Sequence, residues 1–386
     1  MKPDASLPSP APDALVHSQR LTDAIRTEID GNDGWISFAR YMELALYAPG
    51  LGYYTAGAHK FGEAGDFVTA PEISALFGRT LARQVRQIMD CSAKNVLELG
   101  AGSGKLAVDL LAELARLDSV PDAYFILEVS ADLRARQQAL LSQKLPQLAD
   151  RVHWLDALPD SFSGATIANE VLDALPVHRL QWNEDGIDEL GVAWAEDGFV
   201  WQTRPVADQA LLQAAEKIGV PDGYVSEICL AARGLLGSLA CRLDRGAMLF
   251  IDYGFGAREY YHPQRSSGTL MCHYRHRAHD DPFYLPGLQD ITAHVDFTDI
   301  AEAGIDAGLE LLGYTSQAFF LIDNGITDLL QETDPENLRD YLPLSSQLQR
   351  LTSPAEMGEL FKVIGFGRHI EQPLSGFSHG ALIRTL

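Results

Sequence analysis

Short apolar runs alternate along this chain with longer stretches whose apolar residues return every three or four positions. Residues 94–97 read as a short buried strand. Over residues 105–117, Leu106, Val108, Leu110, Leu111, Leu114 and Leu117 mark one face of a helix packed on a sheet. Further apolar runs at 124–129, 152–155, 165–168 and 246–254 predict strands two to five. Residues 310–318 and 361–369 predict the last two, with helices at 300–308 and 319–351 beside them. The alternation predicts an α/β fold, a doubly wound sheet of seven strands with the final pair antiparallel.

Ahead of the sheet, residues 21–29 and 38–47 read as helices, the second with Ser37 as N-cap, and residues 48–57 as a turn-rich loop. In KFGEAGDFVTAPEIS (residues 60–74), Gly62 and Gly65 loosen the backbone, and Pro71-Glu72 opens a helix running to about residue 88. Two departures interrupt the strand–helix alternation. After strand four, residues 180–203 read as strands with hairpin turns at Asp185-Gly186 and Asp197-Gly198, followed by helices at 208–218 and 228–243. After strand five, the residues up to 290 are polar and aromatic. The expected organisation is a disordered arm (1–20), an N-terminal helical cap or lid (21–93) and a Rossmann-like domain (94–386). That domain carries insertions at about 180–245 and 255–290.

Between the first strand and its helix lies ELGAGSG, residues 98–104. Glycines there let backbone approach a ligand closely, and the helix N-terminus favours an anion or carboxylate. By itself the motif fits nicotinamide or flavin, S-adenosyl-L-methionine, or a plain turn. Glu128 ends the second strand, where a carboxylate can take the two ribose hydroxyls of an adenosine. The leading acid Glu98, the glycines Gly100, Gly102 and Gly104, and the lack of a phosphate-type GxGxxG together look like a class I methyltransferase. Asp156 ends strand three and is placed for the adenine amino group, or is a polar loop residue. Asn169, Glu170 and Asp173 follow strand four, where the transferable methyl is expected, although acids there also cap helices. Asp66, Thr69 and Glu72 sit in the glycine-rich segment, which reads as a lid over the cofactor or as a surface loop.

Composition narrows the field. With 53 acidic and 30 basic residues the net charge is −23, which repels nucleic acid and steers cationic partners inward. No apolar run approaches the ~18–20 residues that span a bilayer. The Pro-rich N-terminus has neither an apolar signal core nor an Arg-rich, acid-poor transit pattern, and the four scattered cysteines lack a CxxC pair. The expected location is therefore the bacterial cytoplasm, without membrane insertion. Cys272, His273, His276 and His279 cluster, but Arg275 and Arg277 between them oppose a cation. No metal is expected, and the segment reads as a substrate-facing loop.

Six blocks in order, from KFGEAGDFVTAPEIS through VLELGAGSGKLA, YFILEVSADLRARQ, IANEVLDALPVHRL and FIDYG to GTLMCHYRHRAHDDPFYLPGLQDITAHVDFT, resemble the MidA family of S-adenosyl-L-methionine-dependent methyltransferases. Ala70 and Ala131 depart from the expected Ser and Pro without removing a charge. The resemblance implies methylation of arginine on a protein, in the mitochondrial branch a respiratory complex I subunit, and a glycine-rich block closing over the cofactor. A guanidinium attacks a methyl group only if its charge is held elsewhere. Glu170 and Asp173 are the expected grip, and His294 and Asp296, alternating in an extended stretch, the expected proton acceptors. Helix capping and a loop hydrogen bond are the ordinary alternatives for these pairs. A small-molecule methyltransferase and a non-catalytic assembly factor with an acidic docking surface are the competing functions.

Overall fold

The computed structural model describes residues 7–57, 69–196 and 198–386, which divide into two compact units. The sheet unit comprises the described parts of Val68–Leu172, Leu235–Ala257 and Val295–Leu386. Its strands are β1 (Asn95–Leu99), β2 (Ala123–Leu127), β3 (Val152–Leu155), β4 (Phe162–Asn169), β5 (Leu243–Phe255), β6 (Glu310–Ser316) and β7 (Phe361–Arg368). They lie in the order β6-β7-β5-β4-β1-β2-β3. β1 to β5 pair in parallel, and β7 runs antiparallel between β5 and β6. An eighth, two-residue strand, Val295–Asp296, pairs with the end of β5 in addition to the expected seven.

Register explains why the carboxyl edge can be a site. Leu99 lies opposite Leu127 and Ala168, and Leu127 lies opposite Leu155. Gly100, Glu128, Asp156 and Asn169 therefore leave the sheet at one level. Helix α1 (Ala75–Cys91) buries Leu76, Phe77, Leu81, Val85 and Ile88. Helix α2 (Lys105–Arg116) buries Leu106, Leu110, Leu111 and Leu114. Each such side chain contributes about 2 kcal/mol by leaving water.

Several boundaries differ from the hydropathy reading. The expected helix at 71–88 is two helices, Ala70–Ile73 and α1, because Ser74 is extended (φ −158°) and its hydroxyl accepts from Leu76 N–H. The expected helix at 319–351 becomes Gln317–Asp323, Ile326–Gln331 and Leu338–Thr352, with Gly325 at φ 78° ending the first continuity. The 21–93 cap is divided, since α1 belongs to the sheet unit and residues 7–57 to the other.

The second unit comprises the described parts of Met1–Phe67, Asp173–Gly234 and Arg258–His294. Residues 12–20 of the expected disordered arm form the first half of a helix, Pro12–Gly31, which buries Leu21, Ile25 and Ile29. Proline in a first helical turn lacks an N–H that would be unpaired anyway, so Pro12 starts this helix rather than breaking it. An antiparallel sheet joins Ile36–Ser37, Gly186–Ala195, His178–Asn183 and Val225–Ile228, with Gly198–Pro205 paired to Gly186–Ala195. Its first hairpin turns at Glu184-Asp185, one residue before the expected Asp185-Gly186, because Asn183 pairs with Gly186. Asp197 of the second expected turn lies outside the described residues. Within the insertion at 255–289, expected to be a substrate-facing loop, Met271–Tyr274 and Arg277–His279 form a hairpin. Arg275 and His276 have φ 48° and 60°, the backbone of a two-residue type I′ turn. Phe38, Tyr41, Phe199, Trp201 and Phe283 form an aromatic core in this unit, with ring centroids 4.9–5.9 Å apart.

Candidate active site

Glu98, in the last turnward residues of β1, is 2% exposed and accepts a 2.7 Å hydrogen bond from the Tyr124 hydroxyl. Burial pushes its carboxyl up to about 7; the Tyr124 bond opposes that shift and the neighbouring Glu128 charge adds to it. The chain then turns through Gly100, Gly102 and Gly104 at φ 61°, 54° and 84°, a left-handed series that side chains resist. Gly100 N–H donates to the Leu127 carbonyl at 3.0 Å, fastening the turn to β2. Gly104 is the N-cap of α2, and a Cβ there would stand 3.1 Å from Gln137.

Glu128 follows β2 and is nearly buried. Its Oε1 accepts from Ser130 N–H at 2.9 Å and its Oε2 from Gln137 Nε2 at 3.0 Å. Burial pushes this carboxyl up, while the same hydrogen bonds favour its charged form. Asp156 follows β3; its side chain is 91% exposed and pairs with Arg134 at 2.8 Å, an arrangement consistent with the polar-loop alternative.

At the end of β4, Asn169 Nδ2 donates to Glu170 Oε1 at 3.1 Å. Asn169 Oδ1 is buried with no hydrogen-bond partner among the described residues. Glu170 itself adopts φ 53°, a conformation costing a non-glycine residue about 1–2 kcal/mol. Its N–H donates to the Ile251 carbonyl at 2.8 Å, and its Oε1 accepts from Ala70 N–H at 3.4 Å. Fully buried Asp252 of β5 accepts from Leu172 N–H at 2.9 Å and so fixes the exit of this turn.

Glu72 reaches the glycine turn, where its carboxylate accepts from the Ser103 hydroxyl. Thr69 is the N-cap of Ala70–Ile73 and makes no side-chain cap bond. Asp66 lies outside the described residues. Asp296 is the N-cap of helix Phe297–Asp306, accepting from Thr298 and Asp299 N–H at 3.0 and 3.3 Å, so the capping alternative describes at least one of its oxygens. Asp173 and His294 fall in the second unit. There the Asp173 carbonyl accepts from Ala293 N–H at 3.0 Å and His294 N–H donates to the Thr269 hydroxyl at 3.1 Å.

The sheet unit thus gathers Glu72, Glu98, the three glycines, Glu128, Asn169 and Glu170 around the carboxyl ends of β1, β2 and β4. Sequence reasoning missed Gln137, Tyr124, Ser103 and Asp252. For Gln137 a signal existed: it interrupts the apolar stripe Leu133, Gln137, Leu141 at helical spacing, all three buried. Among the described residues no group of three or more His, Cys, Asp or Glu is placed to hold a metal ion.

These residues fit an adenosyl sulfonium ligand. A turn without Cβ atoms admits close backbone approach, a carboxylate one strand away suits a sugar diol, and Asn169 Oδ1 is a buried acceptor awaiting a donor. With the strand order and the reversed β7, they define a class I S-adenosyl-L-methionine-dependent methyltransferase. The chain belongs to the family Methyltransf_28, S-adenosyl-L-methionine-dependent methyltransferases, whose model matches residues 76–315, and the MidA resemblance is established with it. It is 32% identical over 366 residues to the mitochondrial protein arginine methyltransferase NDUFAF7 of Danio rerio, covering 85% of this chain and 82% of that one. The Homo sapiens NDUFAF7 is 28% identical over 376 residues, covering 87% and 81%. A crystal structure of a Burkholderia thailandensis protein bound to S-adenosyl-homocysteine superposes with a TM-score of 0.96 and 52% identity, covering 99% of this chain and 100% of that one. S-adenosyl-L-methionine is the cofactor. Among the described residues no helix is long and apolar enough to cross a membrane.

Proposed function

We propose that the protein methylates arginine on a protein substrate, with a respiratory complex I subunit as the acceptor suggested by the MidA resemblance. The relatives named protein arginine methyltransferases support the residue type, and a net charge of −23 suits a cationic acceptor. In this reading Glu128 takes the ribose hydroxyls and the turn at Gly100, Gly102 and Gly104 cups the methionine end, beneath Glu72. Bound S-adenosyl-L-methionine supplies a methyl group already activated by its sulfonium.

Glu170 carries the reading. A charged residue held in a left-handed conformation by bonds to β5 and to Ala70 is a strained position that packing alone does not require. Guanidinium delocalises its lone pairs and keeps its proton above pH ~12. A carboxylate accepting from two of its nitrogens localises the positive charge there and leaves the third nitrogen to attack. As the nitrogen–carbon bond forms, the carbon–sulfur bond breaks with its electrons on sulfur, and the nitrogen releases a proton. Alignment and exclusion of water supply most of the acceleration. Asp173, three residues beyond Glu170 in the chain, is the proposed second carboxylate, and His294 and Asp296 are the proposed proton acceptors.

The test is Glu170→Gln, assayed with radiolabelled S-adenosyl-L-methionine in cell lysate. Methylation is expected to disappear while S-adenosyl-homocysteine binding stays within about twofold. Equal loss of both would move Glu170 to cofactor binding, and label found only in metabolites would replace the protein acceptor by a small molecule.

A further inference from the structure

Gln137 belongs to helix α3 (Ala131–Lys144), and its side chain is wholly removed from solvent. A primary amide has two N–H donors and an acceptor oxygen, and each is engaged here. Nε2 donates to the Gly102 carbonyl at 2.9 Å and to Glu128 Oε2 at 3.0 Å. Oε1 accepts from the Trp154 indole N–H at 2.9 Å. Those three partners come from the ends of three adjacent parallel strands: Gly102 from the turn after β1, Glu128 from the end of β2, and Trp154 from β3. One side chain on a fourth element ties all three together.

We propose that Gln137 is the positioning residue of the cofactor site, setting the glycine turn and the Glu128 carboxylate at a fixed separation. This rests on the reading of Glu128 as the sugar-binding carboxylate. The indole decides the amide's orientation: Trp154 can only donate, so the oxygen must face it and the NH2 must face Gly102 and Glu128. Glu128 thereby has one oxygen held by Gln137 and the other by Ser130 N–H, and its plane is fixed before any ligand arrives. A diol binding both carboxylate oxygens meets an acceptor that has little orientational freedom left to lose. The same contact explains Gly104 a second time, since a Cβ there would press on Gln137 at 3.1–3.4 Å.

Two nearly isosteric substitutions separate positioning from packing. Gln137→Met keeps the volume and removes both donors, one serving the Gly102 carbonyl and one the charged Glu128, and a bond to a charged group is worth about tenfold in affinity. The expected result is a rise of about tenfold or more in the S-adenosyl-homocysteine dissociation constant and in KM for S-adenosyl-L-methionine, with kcat at saturating cofactor nearly unchanged. Gln137→Glu places a carboxylate against Glu128 and the Gly102 carbonyl. A donor returns only when that new pair takes up a proton. The ratio of its dissociation constant to the unsubstituted protein's is therefore expected to shrink as pH falls, which a packing defect does not produce. The other titratable groups facing Glu128 are Glu98 from β1 and Arg134 from α3; both are present in every variant, so the ratio removes their contribution. Trp154→Phe, at a half-buried site, frees the amide to rotate and is expected to weaken binding about threefold with the fold intact.

Calorimetry with S-adenosyl-homocysteine between pH 6 and pH 9, on variants checked by thermal melting, decides it. Glu128→Gln is measured alongside. Unchanged affinity in that variant overturns both the sugar-carboxylate reading and this proposal. Weakened affinity there, with Gln137→Glu and Trp154→Phe binding as tightly as the unsubstituted protein at every pH, overturns this proposal alone.

Discussion

The Ser103 hydroxyl donates a hydrogen bond to the Glu72 carboxylate, so the short helix Ala70–Ile73 is fastened to the glycine turn on which the cofactor depends. The two residues are far apart in sequence, and the bond makes the segment ahead of α1 part of the site. Ser103→Ala is expected to raise KM for S-adenosyl-L-methionine about tenfold, the lower end of the worth of one bond to a charged group, while the melting temperature changes little. Steady-state kinetics over a cofactor series checks it; an unchanged KM would make the contact incidental.

Glu98 predicts a pH dependence of folding. Its carboxyl is pushed from the ordinary glutamate value of 4.5 up to about 7 in the folded chain. Between those values the folded state holds a proton that the unfolded state has released, so stability falls as pH rises through this window. The contribution is fully present below the lower value and gone above the higher one, and it amounts to about 3 kcal/mol. Glu98→Gln, which cannot ionise, is expected to gain on the unsubstituted protein by that order between pH 5 and pH 8. Urea denaturation at the two pH values is the measurement, and parallel curves would count against a raised carboxyl.

Glu170→Gly is expected to separate stability from activity. Glycine relieves the cost of φ 53° but adds freedom to the unfolded chain and removes the acceptor of Ala70 N–H and Asn169 Nδ2, so the net change in stability is expected to be small, within about 1 kcal/mol. Methylation is expected to be lost all the same, the usual exchange at a strained functional position. A variant that is both less stable and active would remove the strain argument for Glu170. Chemical denaturation and the lysate assay together settle the point.

What could be read from the chain tracks how each element meets solvent. β1, β2 and β4 are apolar runs buried between helices, so their ends, and with them Gly100, Glu128 and Asn169, were legible from hydropathy and turn chemistry. Helix starts were harder. Pro12 and the residues around it share their composition with disordered tails, and of the helix's buried positions only Ser18 precedes residue 21, so no apolar stripe marks the extension back to Pro12. Ser74 looked like one more helical position, because a side chain that accepts from Leu76 N–H two residues on leaves no mark in a periodicity. Gln137 left one mark, its place in the buried stripe Leu133, Gln137, Leu141, but its role did not show there. A polar residue on a helix is ordinarily taken for surface, and its partners Gly102 and Trp154 lie 35 positions before it and 17 after. Asp156 and Asp296 show the converse limit: position at a strand end or near a histidine leaves open whether an acid faces a ligand, pairs as Asp156 does with Arg134, or caps a helix as Asp296 does with one oxygen.

Because β7 is wedged between β5 and β6, the order of synthesis is not the order of assembly. A ribosome that has delivered β6 has still to make the strand separating it from β5, and until residues 361–368 emerge both edges face outward with their backbone groups unmatched. About 45 residues separate β6 from β7, and because β6 pairs with β7 alone, the edge of β5 is open to a foreign strand while they are made.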